Sequence, residues 1–125
     1  MQILLDTHLF LWWLKNDSQL SKKARSIIAH ADVVYISSVS IWEAAIKIKL
    51  QKLNAHIEAL INAIETEGFI ELPLKAKQAV LLTTLPNIHR DPFDRMLIAQ
   101  AISEPLRLLT SDEILKKYSE LVEIV

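Results

Sequence analysis

Short, largely apolar runs alternate with stretches of helical periodicity along almost the whole chain. The apolar runs are three to five residues long, which is the length of short strands. Brief apolar strands are typical of a parallel sheet that helices cover on both faces. The predicted strands are residues 3–5, 33–36, 69–72, 107–109 and 121–125, and the predicted helices are residues 7–15, 20–30, 41–50, 55–67, 74–85, 92–103 and 111–118.

This alternation predicts an α/β protein, a three-layer α/β/α sandwich around a central, mostly parallel sheet. Right-handed crossovers between parallel strands place helices on both sides of the sheet. Ligands of such proteins bind outside the carboxyl ends of the strands, where the strand order reverses. If the order is 3-2-1-4-5, the carboxyl ends of the first and fourth strands lie side by side.

The length of the chain fits one compact domain. The 125 residues, of which 51% are hydrophobic, can supply a core of the usual size. Glycine occurs only at position 68 and the four prolines are isolated, so no segment resembles a flexible linker. We therefore expect a single domain over residues 1–125.

The composition excludes several classes of function. Lysine and arginine number 14 and aspartate and glutamate 15, so no global charge favours nucleic acid or a membrane surface. Without cysteine the chain has no disulfide and no thiolate zinc site, which suits a reducing compartment. No apolar run approaches the ~20 residues that span a bilayer, and Asp6 comes too early for a signal peptide. We expect a soluble, cytoplasmic protein that does not bind membranes.

Four acidic residues occur where strand-like runs give way to helices: Asp6, Glu43, Asp94 and Asp112. Two ionised carboxylates about 4 Å apart repel each other by roughly 4 kcal/mol at an effective dielectric near 20. A cation must offset this repulsion if the fold brings the acids together. Mg²⁺ and Mn²⁺ prefer oxygen ligands, and such an ion can activate water and stabilise charge on a phosphoryl oxygen.

Helix capping is the alternative interpretation of each acid. Residues 40–43 and residues 110–113 both fit a capping box. Asp91 suits the N-cap of a helix that begins at Pro92, with Asp94 in its first turn. Taken singly, each acid is explained by a cap, whereas convergence at one edge of the sheet indicates a metal site.

Four segments contain the acids, in the order ILLDTHLFLWWL, ISSVSIWEAAIKIKLQKL, HRDPFDRMLIAQA and LLTSDEIL. These segments resemble the motifs of the PIN-domain ribonucleases, and among them the VapC-type toxins of bacterial toxin–antitoxin pairs. The resemblance covers essentially the whole chain and assigns Asp6, Glu43, Asp94 and Asp112 to the acidic quartet of the family. Asp91 remains a contender for the third position or a helper.

The resemblance implies a PIN-like fold and metal-dependent hydrolysis of RNA phosphodiester bonds. Mg²⁺ or Mn²⁺ would be held mainly by Asp6 and Asp94, with Asp112 as a further ligand. Glu43 would orient water or bind a second ion. The resemblance also implies a homodimer and a cognate antitoxin bound in a groove near the early helices.

Several polar residues near the motifs have two interpretations. Thr7, Thr110 and Ser111 can bind metal-bound water or phosphate from helix N-termini, or serve only as caps and turn residues. Arg90 and Arg95 can contact RNA phosphate through local positive charge, or they are solvated or paired with nearby carboxylates. The four histidines lack zinc-ligand spacing. Among them, only His89 lies near a motif; it can help the site, although a loop histidine beside Asp91 is more often structural.

Two other functions remain open from the sequence. A catalytically silent module would keep the sheet and the caps and bind its partner through the tryptophan-rich first helix. A phosphatase or a nuclease acting on other nucleic acids would use the same metal chemistry.

Overall fold

Five strands alternate with helices in the computed structural model, which describes all residues from 1 to 125. The longest helices have 12 residues, and none is long and apolar enough to cross a membrane. Two short 3₁₀ helices, Leu81–Thr83 and Glu113–Lys117, complete the structure. The other elements are β1 (Gln2–Leu5), α1 (Thr7–Lys15), α2 (Lys22–His30), β2 (Val33–Ser37), α3 (Ser38–Lys49), α4 (Ile57–Thr66), β3 (Ile70–Leu72), α5 (Ala76–Val80), α6 (Pro92–Ser103), β4 (Arg107–Thr110) and β5 (Val122–Ile124).

All four strand pairings are parallel, and the sheet order is β3-β2-β1-β4-β5. The predicted sandwich and strand order are therefore confirmed. At the carboxyl end of β1, Leu5 is in register with Ile36 of β2 and Leu109 of β4. The residues that follow these three positions therefore begin at the same edge of the sheet.

The continuous apolar run in β1 is explained by a hydrophobic core on each face of the sheet. Ile3 and Leu5 belong to one cluster, which α1, α2 and α4 help to form. Leu4 points to the opposite face and packs in a second cluster with Leu97 and Ile98 of α6. Since side chains alternate along a strand, residues 3–5, which are covered on both faces of the sheet, include no polar residue.

The two predicted capping boxes are wrong. Helix α3 begins at Ser38, and its cap is Ser37, whose Oγ accepts a hydrogen bond from the Val39 amide at 3.0 Å. Glu43 therefore lies inside the helix, too far along to return to the helix start. After β4, Asp112 rather than Thr110 is the N-cap residue.

Two predicted helices are reduced to much shorter elements in the structure, whereas α2 and α4 lose only one or two residues at an end. The stretch 74–85 forms only α5 and the first 3₁₀ helix, because Thr83 and Thr84 donate from their hydroxyls to the carbonyls of Val80 and Leu81, at 2.7 and 2.9 Å. These local bonds offer the backbone an alternative to continued α-helix. The stretch 111–118 forms the second 3₁₀ helix, since β5 follows within a few residues.

Candidate metal centre

Asp6 links the carboxyl ends of β1, the central strand, and its neighbour β4. Its Oδ1 accepts a hydrogen bond from the Leu9 amide at 2.8 Å and so caps α1. Its Oδ2 accepts one from Thr110 Oγ1 at 2.6 Å, and its amide donates to the Leu109 carbonyl at 3.1 Å. The side chain is thereby fixed at the junction of β1 and β4, where it is only 4% exposed.

Burial raises the pKa of Asp6 above its ordinary value. Hydrogen bonds from Thr110 and Leu9 and the charge of His8 act in the opposite direction, whereas the charge of Glu43 raises the pKa further. The carboxylates of Asp6 and Glu43, from different elements, therefore interact electrostatically.

Glu43 brings a second buried carboxylate to the site from α3. Only 2% of the residue is exposed, and its Oε2 lies 2.7 Å from Lys47 Nζ, one helical turn further along. Its Oε1 is buried and has no hydrogen-bond partner in the protein. Because buried carboxylate oxygens are nearly always paired, this atom is suited to contact a cation.

Asp91 and Asp94 lie at the start of α6. Asp91 is the predicted N-cap, and its Oδ1 accepts hydrogen bonds from the amides of Phe93 and Asp94, at 2.8 and 3.1 Å. Pro92 occupies the first turn, as the sequence predicts. This arrangement fixes the backbone at Asp94, which is half-buried.

The pKa of Asp94 is raised to about 7, first by burial and then by the negative charges of Asp91, Asp6 and Glu43. His89 lowers it by a smaller amount. Four acids from three separate segments of the chain therefore form one electrostatic cluster.

His89 connects this cluster to Asp112. Its Nε2 lies 3.2 Å from Asp94 Oδ2 and 3.5 Å from Asp112 Oδ2. One potential ligand atom from each of these three residues lies within 4.8 Å of the others. Asp112 is the more exposed carboxylate, and its amide donates to Thr110 Oγ1 at 3.1 Å.

The supporting residues from the sequence differ in their positions. Thr110 lies within the site, between Asp6 and Asp112. Thr7 is buried and donates to Ser40 Oγ at 2.9 Å, a contact that joins α1 to α3. Ser111 is exposed and makes no side-chain hydrogen bond.

Two residues at the site were not among the candidate ligands of the sequence analysis. His89 bridges two carboxylates; its position near the third motif left a role at the site open, although a structural role was expected. Lys47 pairs with Glu43, and the spacing of four residues on a predicted helix suggested that pair.

The donor set fits a hard divalent cation. Four of the candidate ligands are carboxylates, Asp6, Glu43, Asp94 and Asp112, and one is the imidazole of His89. Mg²⁺ and Mn²⁺ favour oxygen donors, whereas structural zinc sites use cysteine and histidine. The unpaired Oε1 of Glu43 supports the same conclusion, since a cation would compensate its burial.

Comparison with known proteins gives the family. The family model of the PIN domain matches residues 3–121. The chain belongs to the PIN-domain family. This PIN domain is also 30% identical to Ribonuclease VapC22 of Mycobacterium tuberculosis over 122 residues, an alignment that covers 93% of this chain and 91% of the relative. The resemblance in the sequence motifs is confirmed.

Solved structures share the fold of this PIN domain. VapBC2 from Rickettsia felis, bound to a DNA fragment from its promoter, aligns with a TM-score of 0.75 at 17% identity, covering 99% of this chain and 98% of that one. DNA-bound VapBC from Salmonella typhimurium aligns with a TM-score of 0.69 at 17% identity, covering 100% and 97%. At these identities the likeness shows a common fold.

Proposed function

We propose that this PIN domain is a metal-dependent endoribonuclease that hydrolyses RNA phosphodiester bonds as the toxin of a toxin–antitoxin pair. The observation that carries the proposal is the cluster of buried, mutually interacting carboxylates at the carboxyl edge of the sheet. The 30% identity to a ribonuclease along nearly the whole chain supports RNA as the substrate.

In this proposal, Asp6, Asp94 and Asp112 hold Mg²⁺ or Mn²⁺, and Glu43 orients water or contributes to a second ion. The bound ion would supply an activated water and stabilise the negative charge of the phosphoryl oxygens. The catalytic residues are therefore Asp6, Glu43, Asp94 and Asp112.

The remaining polar residues keep these four acids in place. Thr110 and the Leu9 amide hold both oxygens of Asp6, so this carboxylate is oriented before an ion binds. Lys47 fixes one oxygen of Glu43 and leaves the other free. Asp91 shapes the helix start that presents Asp94.

Thr7 and Ser111 have different supporting roles in the proposal. Thr7 aligns α1 with α3 through Ser40. Ser111 lies between Thr110 and Asp112 and is exposed to an approaching phosphate.

The proposal extends to partners and location. Solved structures with this fold are VapBC complexes, which supports a cognate antitoxin as the protein partner. A homodimer is the assembled state in this proposal, as the resemblance of the motifs implies. We place the single nuclease domain in the cytoplasm, where its RNA substrate is found.

Replacement of Asp6 by asparagine tests the proposed function. Asparagine caps helices as well as aspartate does, so Oδ1 can still accept from the Leu9 amide while the negative charge is lost. We expect Asp6→Asn to lower Mn²⁺-dependent cleavage of single-stranded RNA by more than about 100-fold, because even residues behind metal ligands change activity 10–100-fold. Melting temperature should change little.

Asp17→Asn is the matched control. Asp17 Oδ1 accepts the Gln19 amide at 2.8 Å in a turn away from the site, so the same substitution should leave cleavage unchanged. Full activity of folded Asp6→Asn, after the same purification, would refute the nuclease assignment.

A further inference from the structure

A cleft with only basic and neutral polar lining adjoins the acidic cluster. It has a volume of about 470 Å³ and is lined by Asn87, His89, Arg90 and Arg95. No carboxylate lines it, although Asp91 and Asp94 lie beside its arginines in the sequence. The positive charge of the cleft is therefore not neutralised from within.

Neither Arg90 nor Arg95 is paired with a carboxylate, so the ion pairs that the sequence left open for them are absent. Arg90 is exposed and makes no ion pair and no side-chain hydrogen bond. Arg95 donates only from Nη1, to the Pro86 carbonyl at 3.0 Å and to Tyr118 Oη at 3.2 Å. Its Nε and Nη2 make no hydrogen bond, so an anchored guanidinium retains donors for a ligand.

Tyr118 holds this cleft in shape. Its hydroxyl accepts from the His89 amide at 2.8 Å as well as from Arg95. One side chain thus fixes both the loop that carries Arg90 and the guanidinium of Arg95.

The cleft and the acidic cluster share a wall. His89 lines the cleft, and its ring contacts Asp94 at 3.2 Å and Asp112 at 3.5 Å. An RNA strand with one phosphodiester at the acids can therefore extend past His89 to the arginines. The chemistry of the cleft suits a phosphodiester, because guanidinium groups bind phosphate oxygens through paired, charge-assisted hydrogen bonds.

We infer that Arg90 and Arg95 form a subsite for the RNA phosphate next to the one that is cleaved. The inference rests on the proposed ribonuclease function and adds to it the route by which the strand is held. A protein of formal net charge −1 has no global attraction for RNA. Local cations beside the acids supply the attraction and fix the strand on one side of the site.

The test uses Arg90→Gln in the Asp6→Asn background, so that the RNA probe is bound without being cleaved. Arg90 has no contact to lose, so the fold should be unaffected. Binding of a labelled single-stranded RNA is followed by fluorescence anisotropy without divalent ions, over a series of salt concentrations. In the variant that also carries Arg90→Gln, the slope of log Kd against the logarithm of the salt concentration should be smaller by about 0.7 than in Asp6→Asn alone. This is the value for one phosphate contact on a single strand.

Lys22→Gln in the same background is the control. Lys22 is also exposed, makes no ion pair and lies on α2, outside the cleft. The Lys22→Gln substitution removes the same charge from the protein and should leave the salt dependence of RNA binding unchanged. Equal salt dependence in Arg90→Gln and Lys22→Gln would overturn the subsite. Absence of RNA binding by the Asp6→Asn protein itself would also overturn it, and a protein partner would then be the better occupant of the cleft.

Tyr118→Phe gives an independent readout of the same cleft. Loss of the hydroxyl removes the hydrogen bond of the His89 amide and leaves Arg95 Nη1 with its bond to the Pro86 carbonyl alone. RNA affinity should therefore fall although no charge is removed. Unchanged affinity would count against a preformed cleft. The binding results are separable from the proposed function, because absence of RNA cleavage by the unmodified protein would refute the nuclease while leaving the binding comparison intact.

Discussion

Individual acids at this site act both as helix caps and as charges in the cluster. Asp6, Asp91 and Asp112 each accept a backbone amide at the start of a helix. Asp6 and Asp91 also raise the pKa of Asp94 through their charge. The two interpretations of the acids from the sequence are therefore compatible, because one carboxylate oxygen can cap while the other faces the cluster.

Asp94 should make the stability of the metal-free protein depend on pH. Its pKa is about 7 in the folded protein, against an ordinary value of 3.8, so between these values the folded state keeps a proton that the unfolded chain releases. The stabilisation from this carboxyl group is complete below pH 3.8 and is lost as the pH rises through about 7. From about pH 5 to about pH 8, the wild type should lose about 2 kcal/mol more unfolding free energy than Asp94→Asn.

Urea denaturation in the presence of a chelator measures this difference. Parallel pH profiles of the wild type and Asp94→Asn would show that the carboxyl group of Asp94 is not protonated at neutral pH.

Lys47 should stabilise the site before an ion is bound. Glu43 is buried, and Lys47, which is 34% exposed along its side chain, is its nearest cation. Lys47→Met leaves the buried carboxylate uncompensated and should lower unfolding free energy by about 2 kcal/mol, less than for a fully buried pair. Added Mn²⁺ should then raise the melting temperature of this variant more than that of the wild type.

Lys49→Met is the control for this comparison, since Lys49 is exposed on the same helix and makes no ion pair. If Mn²⁺ raises the melting temperature equally in both variants and in the wild type, Lys47 does not compensate the charge of the metal site.

The elements of the fold were predictable where one physical factor dominates. The strands follow from buried apolar runs, and β1 through β4 lie within two residues of their predicted positions. The start of α3 was not predictable, because Ser37, Ser38 and Ser40 can all cap a helix. In the structure Ser37 is the cap, and its hydroxyl also donates to Gln100 of α6, a tertiary contact that the sequence does not reveal. The shortened α5 has a similar cause, in the local bonds of Thr83 and Thr84.

A buried network of polar side chains holds α6, the helix of Asp94, against the rest of the sandwich. Ser37 Oγ donates to Gln100 Oε1, and Gln100 Nε2 donates to Gln78 Oε1 at 3.3 Å. All three residues are buried. The network thus connects β2, α5 and α6 at positions that would otherwise be apolar.

Gln100→Leu should lower unfolding free energy by about 2 kcal/mol, because it leaves buried partners without a hydrogen bond. Ser37→Ala also removes the cap of α3, so the two changes are best compared in a double-mutant cycle. We expect their costs to be less than additive, by at least about 0.5 kcal/mol. Strict additivity would show that the network does not act as a unit.

On the scale of the whole molecule, the topology explains why the edge of the sheet that carries the candidate site was predictable. The order 3-2-1-4-5 places β4 beside β1, so residues more than a hundred positions apart, Asp6 and Thr110, are hydrogen-bonded. The contacts of His89 could not be predicted, because they depend on how the loop before α6 packs against Tyr118. No motif spacing encodes that contact.

Calorimetric titration of Mn²⁺ into the metal-free protein tests most directly whether the convergent acids act as one metal centre. The account predicts saturable binding by the wild type and its loss in Asp6→Asn. It also predicts more proton release at about pH 6 than at about pH 8, because Asp94, with a pKa of about 7, must lose its proton when the ion binds. Absence of saturable heat from the wild type, as a catalytically silent module would give, or equal binding by Asp6→Asn, would contradict the account.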